Sequence, residues 1–224
     1  MSNWKDERIR FMRTIAQQMS KVTNDALVLK GGTALLLAYK SNRFSEDMDF
    51  DAKRPVDLSR SIELAAAKCK LKIVSIILKK DTATTRRYMI HYGAESSECS
   101  YPLKIECSFR QAAVMENKQV TTMNGIRVYK IEKLAEQKIN AFVSRETARD
   151  IYDVYFLLKH YPEAISVAML EQLQQNIQAR GIDALLRLYE YNAVADHVLE
   201  SISAEEIVLN LEQNVYDLIK NKTN

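Results

Sequence analysis

Residues 29–51 read LKGGTALLLAYKSNRFSEDMDFD. A Gly-Gly turn opens a short apolar helix, a polar loop follows, and the stretch closes on Asp47, Asp49 and Asp51. In a strand, side chains two apart share a face. These three carboxylates therefore crowd onto one side, while Met48, Phe50 and Ala52 take the other. Like charges that close repel, and each resists ionising. A divalent cation relieves the conflict. Hard oxygen ligands suit Mg²⁺ (or Mn²⁺), which is commonly held by one or two carboxylates plus substrate phosphates.

Working upstream, residues 26–30 (ALVLK) predict a strand, and Gly31-Gly32-Thr33 opens a predicted helix over 33–40. Two glycines allow positive φ and close backbone approach. The free N–H groups of a helix start can take a phosphate, although a plain strand-to-helix turn reads the same way. The loop 40–46 carries Arg43 and Ser45. Residues 4–20 place Ile9, Phe11, Met12, Ile15 and Met19 at helical spacing, and a polar turn follows at 23–25.

Downstream, residues 47–52 predict a strand, then a helix to about residue 70 with Asp57 as its N-cap. Residues 71–80 and 86–92 predict strands joined by a hairpin loop at 81–85. In the strand 101–109, Leu103, Ile105, Cys107 and Phe109 alternate with Lys104, Glu106 and Ser108, so the apolar set faces the core. An Asn124-Gly125 turn precedes a short strand at 126–129. From residue 131 the period becomes helical: 131–145, 147–161, and three more helices to 221, split near Gly181 and residues 201–203. Tyr152, Tyr155, Phe156 and Tyr161 read as core. The expected class is α+β, with a mixed sheet and flanking helices over 1–130 and a helical domain over 131–224.

Composition fits an ordinary globular chain: 47% hydrophobic, 27% charged, five Gly and three Pro. Cys69, Cys99 and Cys107 have no metal-ligand spacing and are odd in number, which points to a reducing cytoplasm. His91, His160 and His197 have no relay or metal spacing, which argues against a histidine-rich phosphohydrolase site. No apolar run approaches the ~20 residues of a membrane span, and the N-terminus lacks a signal-peptide h-region, so no membrane partner is expected. Residues 1–160 hold 28 Lys+Arg against 19 Asp+Glu (+9), and residues 161–224 hold 4 against 10 (−6). A basic surface around an acidic metal site fits a polyanionic substrate such as a nucleotide or RNA.

Asp-x-Asp on one strand beside Glu106 on another can gather three carboxylates around two metal ions, which suits in-line phosphoryl displacement. Glu106 can equally pair with Lys104 or Lys72 across a sheet. Asp51 reads as a loop-facing residue or one outside the metal's direct ligands.

The order of these pieces resembles the DNA polymerase β-type nucleotidyltransferase superfamily. KGGTALLLAY, RFSEDMDFD, LKIECSFR and EKLAEQKINAFVSRETARDIYDVYFL, in that sequence, are similar to the AbiEii/AbiGii toxin family, which includes the MenT-like toxins. The resemblance covers roughly residues 25–160. It implies a nucleotidyltransferase-type core (1–130) and a helical domain (131–224) that completes the active-site cleft. It implies transfer of an NMP from an NTP to an acceptor, RNA such as tRNA, with pyrophosphate released, and a cognate antitoxin protein as partner. Asp47, Asp49 and Glu106 match the metal carboxylates, and Gly31, Gly32, Thr33 and Ser45 the phosphate-binding positions. Lys138 matches a helical lysine that contacts triphosphate. Arg149, Asp150 and Asp153 match the RDxxD motif on the next helix. Beside these stand plainer readings: Lys138 snorkelling from a core edge, Asp150 as a helix-start carboxylate with Thr147 as N-cap, and the whole chain as a non-catalytic nucleotide- or partner-binding module on the same fold.

Overall fold

A computed structural model of the chain describes residues 4–23, 26–94, 98–110, 117–145, 147–195, 199 and 203–223. The polar turn expected at 23–25, Met115, His197 and the split near 201–203 fall wholly or partly outside these residues. The chain forms two compact units, Met1–Lys130 and Ile131–Asn224.

The first unit is built on one seven-stranded sheet. Its strands are β1 (Leu27–Lys30), β2 (Met48–Ala52), β3 (Leu71–Thr82), β4 (Thr85–Ala94), β5 (Tyr101–Ser108), β6 (Val120–Met123) and β7 (Ile126–Tyr129), in the spatial order β3-β4-β5-β2-β1-β7-β6. β2 runs parallel to β5 and β1 parallel to β7, and the other neighbours are antiparallel. With helices α1 (Trp4–Val22), α2 (Gly31–Tyr39) and α3 (Ser59–Cys69), this is the α+β class expected from the sequence.

Alternation in the strands decides which face is packed. Tyr88, Ile90 and Tyr92 of β4 stand opposite Ile105, Leu103 and Tyr101 of β5, and Met48 and Phe50 of β2 opposite Ile105 and Cys107. Nearly all of these are buried. The helices α1 and α3 pack together, and the Phe11 ring of α1 lies 4.6 Å from that of Tyr92. Phe11, Met12, Ile15 and Met19 are all fully buried. Each such side chain contributes about 1.5–3 kcal/mol of transfer free energy.

Several boundaries differ from expectation for local reasons. α2 begins at Gly31, whose φ of 72° turns the corner out of β1. Asp57 is not the N-cap of α3. Leu58 takes that place, and the Asp57 carboxylate accepts the Ser59 N–H at 3.0 Å from one residue further out. β3 and β4 extend towards each other until only Ala83 and Thr84 remain as the turn. β5 stops at Ser108, so Phe109 is half-buried rather than core. β6 has no counterpart in the sequence reading. Asn124 and Gly125 both adopt left-handed φ (52° and 77°), the signature of a type I′ hairpin turn, which pairs β6 with β7.

Asp51 is not loop-facing. It lies within β2, fully buried, where its carboxylate accepts from Lys30 Nζ at 2.5 Å and from the Tyr129 hydroxyl at 2.8 Å. A buried charge is tolerated only when paired and hydrogen-bonded. Burial, followed by the Asp51 charge, pushes the Tyr129 phenol well above its ordinary value. The interaction ties β2 to β1 and β7.

The second unit is helical: α4 (Ile131–Ser144), α5 (Ala148–His160), α6 (Val167–Arg180), α7 (Ile182–Ala195) and α8 (Ala204–Thr223). α5 packs against α4, α7 and α8. Every residue from Asp150 to Leu158 is buried, including Tyr152, Tyr155 and Phe156. Thr147 caps α5 and Ser166 caps α6, each accepting a backbone N–H three residues on. Gly181, at φ 80°, ends α6. Among the described residues no helix is long and apolar enough to cross a membrane.

Two outcomes follow from this packing. Asp51→Ala strands a buried phenol and a half-buried ammonium. We expect a loss of about 2–3 kcal/mol, read as a lower urea midpoint at unchanged m-value; an unchanged midpoint would show that the pairing is inconsequential. Cys69 and Cys107 are buried and Cys99 is exposed, and burial pushes the Cys107 thiol up to about 12. Iodoacetamide at pH 8 should therefore modify Cys99 alone in the native protein and all three thiols in urea. Rapid native labelling of Cys107 would contradict the strand register.

Candidate active site

The polar face of the sheet gathers the carboxylates. Asp47 immediately precedes β2. Asp49, within β2, stands opposite Glu106 of β5 on one side and Lys30 of β1 on the other. The neighbours on this face treat the carboxylates unequally. Asp47 is bound by Lys104 Nζ at 2.5 Å. Glu106 is gripped by Arg87, with Nη2 at 2.6 Å and Nε at 2.7 Å from the same oxygen. The sheet register puts Arg87 directly opposite Glu106, so neither Lys104 nor Lys72 is its partner. Asp49, half-buried, makes no ion pair or hydrogen bond among the described residues. Burial first, and then the charge of Asp47, hold its carboxyl above the usual carboxylate range; Lys104 opposes this and Glu106 adds to it.

The start of α2 abuts this carboxylate. A Cβ on Gly31 would lie 3.2 Å from Asp49 Oδ2, at a backbone angle that already disfavours any side chain. A Cβ on Gly32 would lie 2.5 Å from Arg43 Nη2 and 3.1 Å from Ser45 Oγ. Gly31 is required by its left-handed backbone, and a side chain at Gly32 would displace the end of Arg43. The buried Thr33 hydroxyl reaches Ser45 Oγ at 2.8 Å and also the Asp47 carbonyl. With a single proton to give, it donates to the carbonyl and accepts from Ser45. The loop carrying Ser45 is thereby fastened to the first turn of α2. Lys30, at the N-cap of α2, supplies no side-chain cap, so the leading N–H groups keep their capacity for an anion.

The second unit holds its own set. Lys138 of α4 and Asp153 of α5 form an ion pair at 2.6 Å, with side chains 10% and 1% exposed. Lys138 is therefore not a lysine snorkelling to water. Asp150 accepts from the Thr147 hydroxyl at 2.6 Å while its own N–H binds Thr147 Oγ1, a reciprocal cap. It also accepts from Arg145 at 2.8 Å. Arg149 is half-buried in the first turn of the same helix.

The sequence reading thus misses Arg87, Lys104 and Arg43 as parts of the site. Lys104 is visible in principle, since it alternates with Glu106 on one face. Arg87 depends on the β4–β5 register and Arg43 on the loop fold, and neither is local information. Among the described residues no three His, Cys, Asp or Glu side chains converge as a ready-made metal cage. The donor chemistry nevertheless fits a hard divalent cation. Asp49 offers oxygen donors with no ion pair among the described residues, Asp47 is two residues away, and Mg²⁺ needs only one or two carboxylates beside phosphate.

The chain is similar to two solved structures from Helicobacter pylori. One is the crystal structure of JHP933, with a TM-score of 0.89 and 31% identity over 99% of this chain and 94% of that one. The other is a protein described as a "putative nucleotidyltransferase", with a TM-score of 0.90 and 31% identity over 100% of this chain and 99% of that one. None of the curated proteins matches it. A family model described as "Nucleotidyl transferase AbiEii toxin, Type IV TA system" matches residues 17–220. With a glycine-cradled carboxylate site on a mixed sheet and a family match spanning nearly its whole length, the chain belongs to the AbiEii family of nucleotidyltransferase toxins.

Proposed function

We propose that the protein transfers a nucleoside monophosphate from an NTP to an acceptor RNA in a metal-dependent reaction, as the toxin of a pair with a cognate antitoxin. The acceptor oxygen bonds to the α-phosphorus, the α–β phosphoanhydride bond breaks, and pyrophosphate leaves. The observation that carries this reading is Asp49: a half-buried carboxylate with no cationic partner among the described residues, crowded by Asp47 and Glu106 and seated against Gly31.

Asp47 and Asp49 would hold Mg²⁺ or Mn²⁺, with Glu106 beside them. Such an ion, when bound, neutralises and orients the triphosphate. The chain's own groups position the nucleotide. The leading N–H groups of α2 hold phosphate oxygens, and Ser45, seated beside them against Thr33, turns its one hydroxyl proton from Thr33 to a phosphate oxygen when nucleotide binds. Lys104 and Arg87 hold the Asp47 and Glu106 carboxylates in orientation. In the second unit, Lys138 carries a charge suited to a phosphate, with Asp153 as its anchor. The family resemblance brings Arg149 and Asp150 into the same reaction, and Asp150 also caps α5. Positioning and charge neutralisation then supply most of the rate.

The test is incubation with Mg²⁺, each α-labelled NTP in turn and total tRNA. Wild type should label RNA. Asp49→Asn should lower the rate on the order of 10²-fold or more, with a thermal midpoint equal to or above that of wild type, because like-charge repulsion is removed. Absence of transfer with every NTP would overturn the proposal, as would an Asn variant as active as wild type.

A further inference from the structure

Beyond the carboxylates, the same sheet face continues outward to β3, which forms the edge of the sheet. One cross-strand row runs the whole way: Lys80 faces Arg87, Arg87 faces Glu106, Glu106 faces Asp49, and Asp49 faces Lys30. The neighbouring row joins Ile77, Met89 and Lys104, and Lys104 is bound to Asp47. With strands spaced about 4.8 Å apart, β3 lies about 14 Å from β2.

The acids of these two rows and of the β3–β4 turn are already engaged. Asp81 is held by Arg86, Glu106 by Arg87 and Asp47 by Lys104. Lys72, Lys79 and Lys80 are exposed and make no ion pair or hydrogen bond among the described residues. The outer end of the face around Lys79 and Lys80 therefore carries unbalanced positive charge. The aromatic side chains of β4, Tyr88 and Tyr92, are buried on the opposite face, so this surface offers charge rather than stacking platforms. Lysines also deter edge-to-edge pairing of strands. That role does not require Lys80 to stand in the row that ends at Asp49.

We propose that the acceptor RNA crosses the open face of β3, β4 and β5, with its phosphates on Lys72, Lys79 and Lys80, and reaches Asp47 and Asp49 past Arg87 and Lys104. This rests on the reading above only in taking the acceptor to be RNA. Contacts of this kind are to the backbone, so binding is salt-dependent and weakly selective for sequence.

The experiment is fluorescence anisotropy of a fluorescein-labelled single-stranded RNA with the full chain, without NTP or divalent metal. The variants are K72A/K79A/K80A and K72R/K79R/K80R. The alanine variant should bind at least about 10-fold more weakly at low salt. Its plot of log K against log salt should flatten by about 2, given ~0.7 per phosphate contact on a single strand. The arginine variant should bind like wild type, and all three proteins should share one thermal midpoint. No RNA binding by wild type would overturn the proposal. So would equal affinity and slope in the alanine variant, which would leave this edge to a protein strand instead. Binding through this face without label transfer in the assay above would uphold the surface and reject the reaction.

Discussion

Asp47, just before β2, and Asp49 and Asp51, within it, set three like charges at alternate positions, and the first unit is arranged around the repulsion between them. Asp51 is fully buried and held by Lys30 and Tyr129. Asp47, at the other end, is held by Lys104. Asp49, between them, is held above the usual carboxylate range by burial and then by the charge of Asp47, which the more distant Lys104 and Lys30 only partly offset, and its carboxylate touches no cationic side chain among the described residues. Asp51 is thus a structural joint between β2, β1 and β7, while Asp49 has no such structural occupation among the described residues. With no side chains at Gly31 and Gly32, the start of α2 closes onto this carboxylate and onto Arg43 and Ser45. The uncapped helix start and the Asp49 carboxylate are thereby neighbours, the arrangement on which the proposed binding of an NTP with a divalent cation rests.

The second unit treats buried charge differently. Lys138 and Asp153 neutralise each other within the helices. Removing one partner of such a pair is costly because the other is left uncompensated. Replacing such a pair by apolar residues can be neutral, so the pair itself is weak evidence for stability. Asp150 has a sufficient structural occupation, since it completes the Thr147 cap and binds Arg145.

Much of this was legible from the chain. The alternation in β2 and β5 is strict, and strict alternation identifies the packed face without knowledge of the partners. The Asp47–Asp49 spacing and the Gly-Gly helix start are local patterns, as is Thr147 three residues before Asp150. Information held in register was not legible. That Glu106 meets Arg87 rather than Lys104 or Lys72 depends on how β4 lies against β5. Asp51 belongs in a buried joint only because β7 brings Tyr129 to it, from 78 residues away. β6, with only Val120–Met123, is too short to show a period, and the Asn124-Gly125 turn was its one local trace.

The account stands most directly on Asp49 as the carboxylate left for a cation. Titration of Mn²⁺, followed by electron paramagnetic resonance in the presence of a non-hydrolysable NTP analogue, reads that claim without requiring turnover or an acceptor. We predict saturable Mn²⁺–nucleotide binding by wild type, its loss in Asp49→Asn, and its retention in K72A/K79A/K80A. Equal Mn²⁺ affinity in wild type and Asp49→Asn would contradict the account.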